Sequence, residues 1–315
     1  MLFFPSLASF TQPGWTQTRT ARVGVLALSE ATVKLPQMMV FLPTLAQHGW
    51  VEGKNLIVEY RYARGEDLTY TESVDELIRL KVDVIYCFAA PGCRAAFAAT
   101  RTIPIVMQDY TNDPLALGYA ASYSHPGKNV TGVFLDAPEF AGKWVETLRA
   151  MVPGIKQIAI LWDPKPGRVH LDAVKRAAES LRLRVQVQEV ITPKDFEKAF
   201  LAIRGKSQAV IITPSPMAYT YAKQLADLAN KYKLPATSMA KQFAEMGGTV
   251  SYGPNNTEST LRNTEQVAKI LNGQKPGDIP IERPYKFDFL INMKSVKALK
   301  LKVPDYLLVG AELVD

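Results

Sequence analysis

The feature that most constrains this 315-residue chain is an order of elements that occurs twice. Residues 22–28 (RVGVLAL), 55–63 (NLIVEYRYA), 82–88 (VDVIYCF) and 103–108 (IPIVMQ) are short β-rich runs. Between them, residues 35–48, 70–81 and 93–100 carry apolar positions at helical spacing. The succession returns in the second half, with strands over 156–163, 184–190, 208–213 and 234–239 and helices over 169–183, 193–205 and 218–232. Strands that alternate with helices form a parallel sheet covered on both faces. The doubling predicts two similar Rossmann-like α/β lobes rather than one long sheet.

Each half is interrupted at the corresponding place. Ala89-Ala90-Pro91-Gly92 follows the third strand of the first half, and Thr213-Pro214-Ser215-Pro216 follows the third strand of the second. Ligands of open parallel sheets bind beyond the carboxyl ends of the strands, where helix N-termini present unpaired N–H groups. Both breaks are therefore expected to open a helix N-terminus toward one shared cleft. Other strand ends add Ser29, Glu30, Gln108, Asp109, Trp162, Asp163 and Met239, where a carboxylate can receive an ammonium group. Phe134, Trp162, Tyr110 or Tyr252 can cover a flat ligand face. The expected ligand-binding set is Ser29, Glu30, Ala90, Pro91, Gln108, Asp109, Phe134, Trp162, Asp163, Thr213, Pro214, Ser215, Met239 and Tyr252. Taken singly, each of these positions also reads as an ordinary turn, cap or packing residue.

Residues 129–154 link the halves, and the segments 247–273 and 280–301 supply further crossings, so the join is a multi-segment hinge. The expected division is a leader over 1–20, a first lobe of 21–133 with 253–279, and a second of 134–252 with 280–315. The leader begins MLFFPSLASF, a short apolar run broken by Pro5 with no preceding Lys or Arg, so it reads as a degraded export signal or a disordered segment. No stretch reaches the ~18 apolar residues of a membrane span.

Several chemistries lack their residues. The formal charge of +7 is spread without a Lys/Arg run, which argues against nucleic acid as a partner. No Gly-rich dinucleotide or phosphate loop and no Gly-x-Ser-x-Gly elbow occurs. His48, His125 and His170 show no metal-ligand spacing, so neither a metal nor a cofactor is expected. Cys87 and Cys93 are the only cysteines, without zinc or redox-motif spacing; two free thiols or a local bridge both fit.

With this order laid out, the chain resembles the ABC-transporter substrate-binding proteins of the tryptophan/tyrosine type. The resemblance rests on HGWVEGKNLIVEYRYARG (48–65), LKVDVIYCFAAP (80–91), DPLALGYAASYSHPGKNVTGV (113–133), MGGTVSYGPN (246–255) and KILNGQKPGDIPIERPYKFDFLIN (269–292). It implies a type I periplasmic-binding fold and a periplasmic or extracytoplasmic monomer. It also implies capture of a small organic solute, in some members an aromatic amino acid, for a membrane permease. The chain departs from the family near the cleft: Phe88-Ala89-Ala90 replaces a Ser-Gly-Thr-like turn, Asp163 an Asn before Pro, and Met239-Ala240-Lys241 a Tyr-Gly-Phe-like run. The competing reading is a cleft isomerase or lyase with Cys87 or Cys93 as nucleophile. A transcription-regulator core would need a DNA-binding domain, for which a leader over 1–20 is too short.

Overall fold

A computed structural model describes residues 19–28, 30–34, 36–62, 67–135 and 137–315. The leader expected over 1–20 lies outside this range up to residue 18. The chain begins with β1 (Ala21–Ala27), α1 (Glu30–Val33), α2 (Phe41–Gln47), β2 (Leu56–Tyr62) and α3 (Asp67–Arg79). It continues through β3 (Val84–Phe88), α4 (Ala89–Ala99), β4 (Ile105–Asp109) and β5 (Val130–Phe134). The five strands form a wholly parallel sheet of order β2-β1-β3-β4-β5. Every residue of β3, β4 and β5 is buried: β3 and β4 are central strands covered on both faces, and the edge strand β5 is flanked by the return segment through the Val133–Glu282 bridge. Gly132 lets β5 come close to β4, since a Cβ there would lie 2.1 Å from the Met107 carbonyl oxygen.

The second half opens with α5 (Ala137–Met151), β6 (Gln157–Trp162), α6 (Val169–Ser180), β7 (Arg184–Glu189) and α7 (Asp195–Ile203). Then come β8 (Ala209–Ile212), α8 (Pro216–Thr220), α9 (Ala222–Lys231), β9 (Ala236–Ser238), α10 (Lys241–Glu245) and β10 (Val250–Pro254). After α11 (Asn256–Leu271), strands β11 (Phe287–Asn292) and β12 (Glu312–Val314) complete a second sheet, ordered β12-β11-β10-β9-β8-β6-β7. Its pairings are parallel except β10–β11, where the chain returns from the other lobe in the opposite direction.

The two lobes are joined three times. The chain first passes from β5 through Leu135 into α5. It returns at Asn255 into α11, which packs against α2 and the strands of the first sheet. Residues 279–282 stay with the first lobe: the N–H of Ile281 donates to the Tyr123 carbonyl (2.7 Å) and that of Glu282 to Gly132 (2.9 Å). The last crossing then leads to β11. The boundaries expected at 253 and 280 therefore shift, because β10 runs to Pro254 in the second sheet and the bridge between Val133 and Glu282 holds the return segment. Asn255 ties two crossings together, its Nδ2 donating to Asp288 (2.8 Å) while its Oδ1 accepts from the Glu258 N–H (2.9 Å). Buried clusters fill both faces of each sheet, and one second-lobe cluster includes Tyr110 and Val133 of the first.

Candidate ligand-binding cleft

A cavity of about 390 Å³ lies between the lobes, beyond the carboxyl ends of β1, β3, β4, β8 and β9. The first lobe contributes Leu28, Gln37, the run Phe88–Pro91, Gln108, Tyr110 and Thr111. The second contributes Pro166, the run Pro214–Pro216, Tyr219, Thr220, Lys223, Met239, Gln242 and Met246. Its size falls within the usual range for small-molecule sites. The walls are mainly aliphatic and aromatic, and Lys223 is the only lining residue among those described that carries a formal charge. Its ammonium group is paired with Asp227 one helical turn away.

Residues of both breaks line the cavity, Ala89, Ala90 and Pro91 from the first lobe and Pro214, Ser215 and Pro216 from the second. The first is helical from its first residue: α4 starts at Ala89, which holds the left-handed value φ +62°. Phe88 stands at the N-cap and supplies no side-chain acceptor to the first turn. The second break ends in Ser215, whose Oγ accepts from the Ala218 N–H (3.0 Å), and Pro216 follows at the first helical position. The expectation that both breaks offer a free helix end is corrected here: α8 is short, capped by its own serine, and begins with a residue that has no N–H.

Gln108 organises the floor. Its Oε1 accepts from the Tyr86 hydroxyl (2.6 Å) and from Asn263 of α11 (3.1 Å), while its Nε2 donates to the Tyr110 hydroxyl (3.0 Å). Burial raises the Tyr86 and Tyr110 hydroxyls above the ordinary phenol range, so both remain protonated, Tyr86 donating to Gln108 and Tyr110 accepting from it. Behind Tyr110, His170 of α6 reaches across from the second lobe, with Nε2 2.6 Å from the Tyr110 carbonyl oxygen. A carbonyl can only accept, so Nε2 carries the proton. Desolvation lowers the pKa of this imidazole to about 4. Arg94 of α4 makes another bond between the lobes, to the Lys165 carbonyl (3.2 Å).

Of the residues expected to contact ligand, Ala90, Pro91, Gln108, Pro214, Ser215 and Met239 line the cavity. Trp162, Asp163 and Thr213 line a narrow crevice beside it with His170. Four others do not face it. Glu30 is exposed and paired with Lys34. Asp109 turns its carboxylate back onto Thr111 and Asn112, four hydrogen bonds that leave no role as an ammonium receptor. Phe134 is buried against Tyr123 at 4.7 Å, and Tyr252 packs among Phe140, Phe287 and Phe289. Ser29 lies outside the described residues. Asp163 accepts from the Lys165 N–H (3.0 Å) and bonds Ser215; burial, outweighing these, raises its pKa above the usual carboxylate value.

The sequence reading passed over Tyr219, Thr220, Lys223, Gln242 and Met246. Pro216, Tyr219, Thr220 and Lys223 stand at i, i+3, i+4 and i+7, a helical face legible in the sequence. Met239, Gln242 and Met246 repeat the pattern at i, i+3 and i+7. The two cysteines are buried outside this lining, and burial raises the Cys93 thiol well above its ordinary pKa, which counts against a thiolate nucleophile. No cluster of potential metal ligands occurs among the described residues.

Two like-built lobes with a cavity between their strand ends define a binding protein that encloses a small solute. The chain belongs to the ABC transporter substrate binding protein family, which it matches over residues 22–314. A tyrosine-binding protein of Clostridioides difficile is 23% identical over 266 residues, spanning 83% of this chain and 76% of that protein. A conserved domain protein from Vibrio cholerae superposes with a TM-score of 0.85 at 26% identity, covering 94% of this chain and 100% of the other. An ABC domain from Streptococcus pneumoniae in complex with L-Trp gives a TM-score of 0.82 at 20% identity, with the same coverage. The fold is the type I periplasmic-binding fold, and the protein is a binding protein rather than an enzyme.

Proposed function

We propose that this protein captures an aromatic, carboxylate-bearing solute such as an aromatic amino acid outside the cytoplasmic membrane and delivers it to the permease of an importer. The observation that carries this reading is the cavity shared by the two lobes, with Phe88, Tyr110, Tyr219 and Met239 as apolar walls around the uncapped start of α4. A ring stacks in such walls, and a carboxylate gains from the first-turn N–H groups and from Lys223. Ala90, Pro91, Gln108, Pro214, Ser215 and Met239 are the contacts drawn from both lobes. Contact with both lobes makes the closed form the tighter binder, and ligand shifts the population toward it. The lobes turn about the crossings near residues 135, 255 and 283–286, and the protein acts as a monomer. Among the described residues no helix is long and apolar enough to cross a membrane, in keeping with a separate permease.

The tyrosine-binding relative and the L-Trp complex support aromatic amino acids as the first ligands to try. Isothermal titration with L-tyrosine, L-tryptophan and 4-hydroxyphenylacetate tests the reading. Micromolar binding of at least one corresponds to about −8 kcal/mol. At a hundred times its Kd that ligand raises stability by ~2.7 kcal/mol. No heat and no thermal shift with these and a wider panel of aromatic carboxylates would overturn it.

A further inference from the structure

We propose that Cys87 and Cys93 form a disulfide that clasps the first-lobe wall of the cavity. Cys87 lies on β3 and Cys93 in the opening turns of α4, with their Sγ atoms 2.8 Å apart. Both side chains are buried, at 0% and 1% exposure, and face each other across the corner where strand becomes helix. The S–S bond needs ~2.05 Å, so closing it requires an approach of only about 0.8 Å. What the bond would enclose is the cavity wall: Phe88, Ala89, Ala90 and Pro91 all line the cavity, and Ala89 holds the corner's left-handed conformation. Without a bond, packing and the backbone hydrogen bonds of β3 and α4 keep these residues in place. With it, the wall is fixed before ligand arrives, which removes part of the ordering cost of binding.

The chemistry is thiol–disulfide exchange with a disulfide oxidant, either oxidised glutathione or an oxidoreductase. One thiolate attacks the oxidant, breaking its S–S bond and forming a mixed disulfide while the first thiol leaves. The second protein thiolate then displaces the remaining thiol. The Cys87–Cys93 bond forms, two electrons pass to the oxidant, and the two cysteine protons end on the two released thiols. Because both sulfurs are buried, exchange occurs during folding or when the corner opens, and bound ligand slows it.

Thiol titration in denaturant and intact mass, on protein treated with oxidised glutathione or with dithiothreitol, provide the test. The expected oxidised product has no free thiol, is 2 Da lighter than the reduced one, and melts about 4 °C higher. Its affinity for L-tyrosine is at least threefold tighter. The affinity arm rests on the proposed function; the thiol count, mass and melting arms do not, so failure of L-tyrosine to bind either form is charged to that reading alone. Two persistent free thiols, glutathione left as a mixed disulfide, or an oxidised form that melts no higher would overturn the inference. Cys87→Ala and Cys93→Ala variants whose affinity still responds to oxidant would overturn it as well.

Discussion

The two breaks occupy equivalent places and are built in opposite ways. Ala89-Ala90-Pro91-Gly92 starts an eleven-residue helix whose first turn has no side-chain cap, while Thr213-Pro214-Ser215-Pro216 leads into a five-residue helix capped by Ser215. In the first lobe the small side chains of Ala89 and Ala90 line the cavity beside that uncapped turn and leave room for close approach to the backbone. In the second, Ser215 takes the Ala218 N–H and Pro216 has none to offer, and Pro216, Tyr219, Thr220 and Lys223 line the cavity. The same fold position thus does two jobs. On the proposed function, the first lobe would meet a ligand's charged end with backbone and the second its apolar body with side chains.

The largest expected effect comes from reversing the charge preference of the first break. Ala90→Glu places a carboxylate at the uncapped end of α4, where it competes for the same N–H groups and fills space. L-tyrosine binding should weaken about a thousandfold, or ~4 kcal/mol. Pro216→Glu, on a self-capped helix and half-buried, should cost less than tenfold. Equal losses in calorimetric titration would break the asymmetry.

His170 lines the crevice beside the second break, and this makes a pH prediction. Its folded pKa, about 4, lies below the ~6.5 of an unfolded histidine, so the unfolded chain binds the extra proton first. The contribution is whole above pH ~6.5 and is lost as pH falls toward about 4, a change of about 3 kcal/mol. Asp163, in the same crevice, has a raised pKa and so opposes the trend, its folded form taking up a proton more readily. Comparing wild type with His170→Phe by urea denaturation across pH 7 to 4 isolates the imidazole. Parallel stability curves would show that it does not titrate in this way.

How far these differences could be read from the chain depends on whether their cause is local. The parallel strands could be read: VIYCF over Val84–Phe88 and AVII over Ala209–Ile212 are continuous apolar runs because both faces are covered. The serine cap and Pro216 were in plain view, yet the helix they start was expected to run to residue 232. It is interrupted at Tyr221 between α8 and α9. Phe134 and Tyr252 could not be placed, because what turns them from the cleft is tertiary: Tyr123, across an irregular loop, in one case and Phe140, in a different element of the second lobe, in the other. Asp109 was misread as an ammonium receptor for a local reason: Thr111 and Asn112, two and three residues on, already claim its oxygens. The antiparallel β10–β11 pairing follows only from the return through the hinge.

A more modest change tests the cap that only the second break has. Ser215→Ala removes the acceptor of the Ala218 N–H and the partner of Asp163, and should lower stability by about 1 kcal/mol. No equivalent loss can be produced at Phe88, which makes no such bond. Chemical denaturation reads the difference directly; an unchanged midpoint for Ser215→Ala would mean that the cap is not a stabilising contact.

The smallest effect concerns Ala89 itself. A left-handed φ costs a residue with a Cβ roughly 1–2 kcal/mol, whereas glycine adopts it freely. Ala89 holds φ +62°, so this chain bears that strain at the start of α4. Glycine also gives the unfolded chain more freedom, which offsets ~0.5–1 kcal/mol of the relief. Ala89→Gly should therefore stabilise the protein by about 0.5 kcal/mol, while loosening the first-lobe wall of the cavity. The expected signature is a slightly higher denaturation midpoint together with weaker L-tyrosine binding, by about threefold. If stability and affinity rose together, the left-handed alanine would be incidental to the wall, and the first break would owe its shape to the Cys87–Cys93 corner alone.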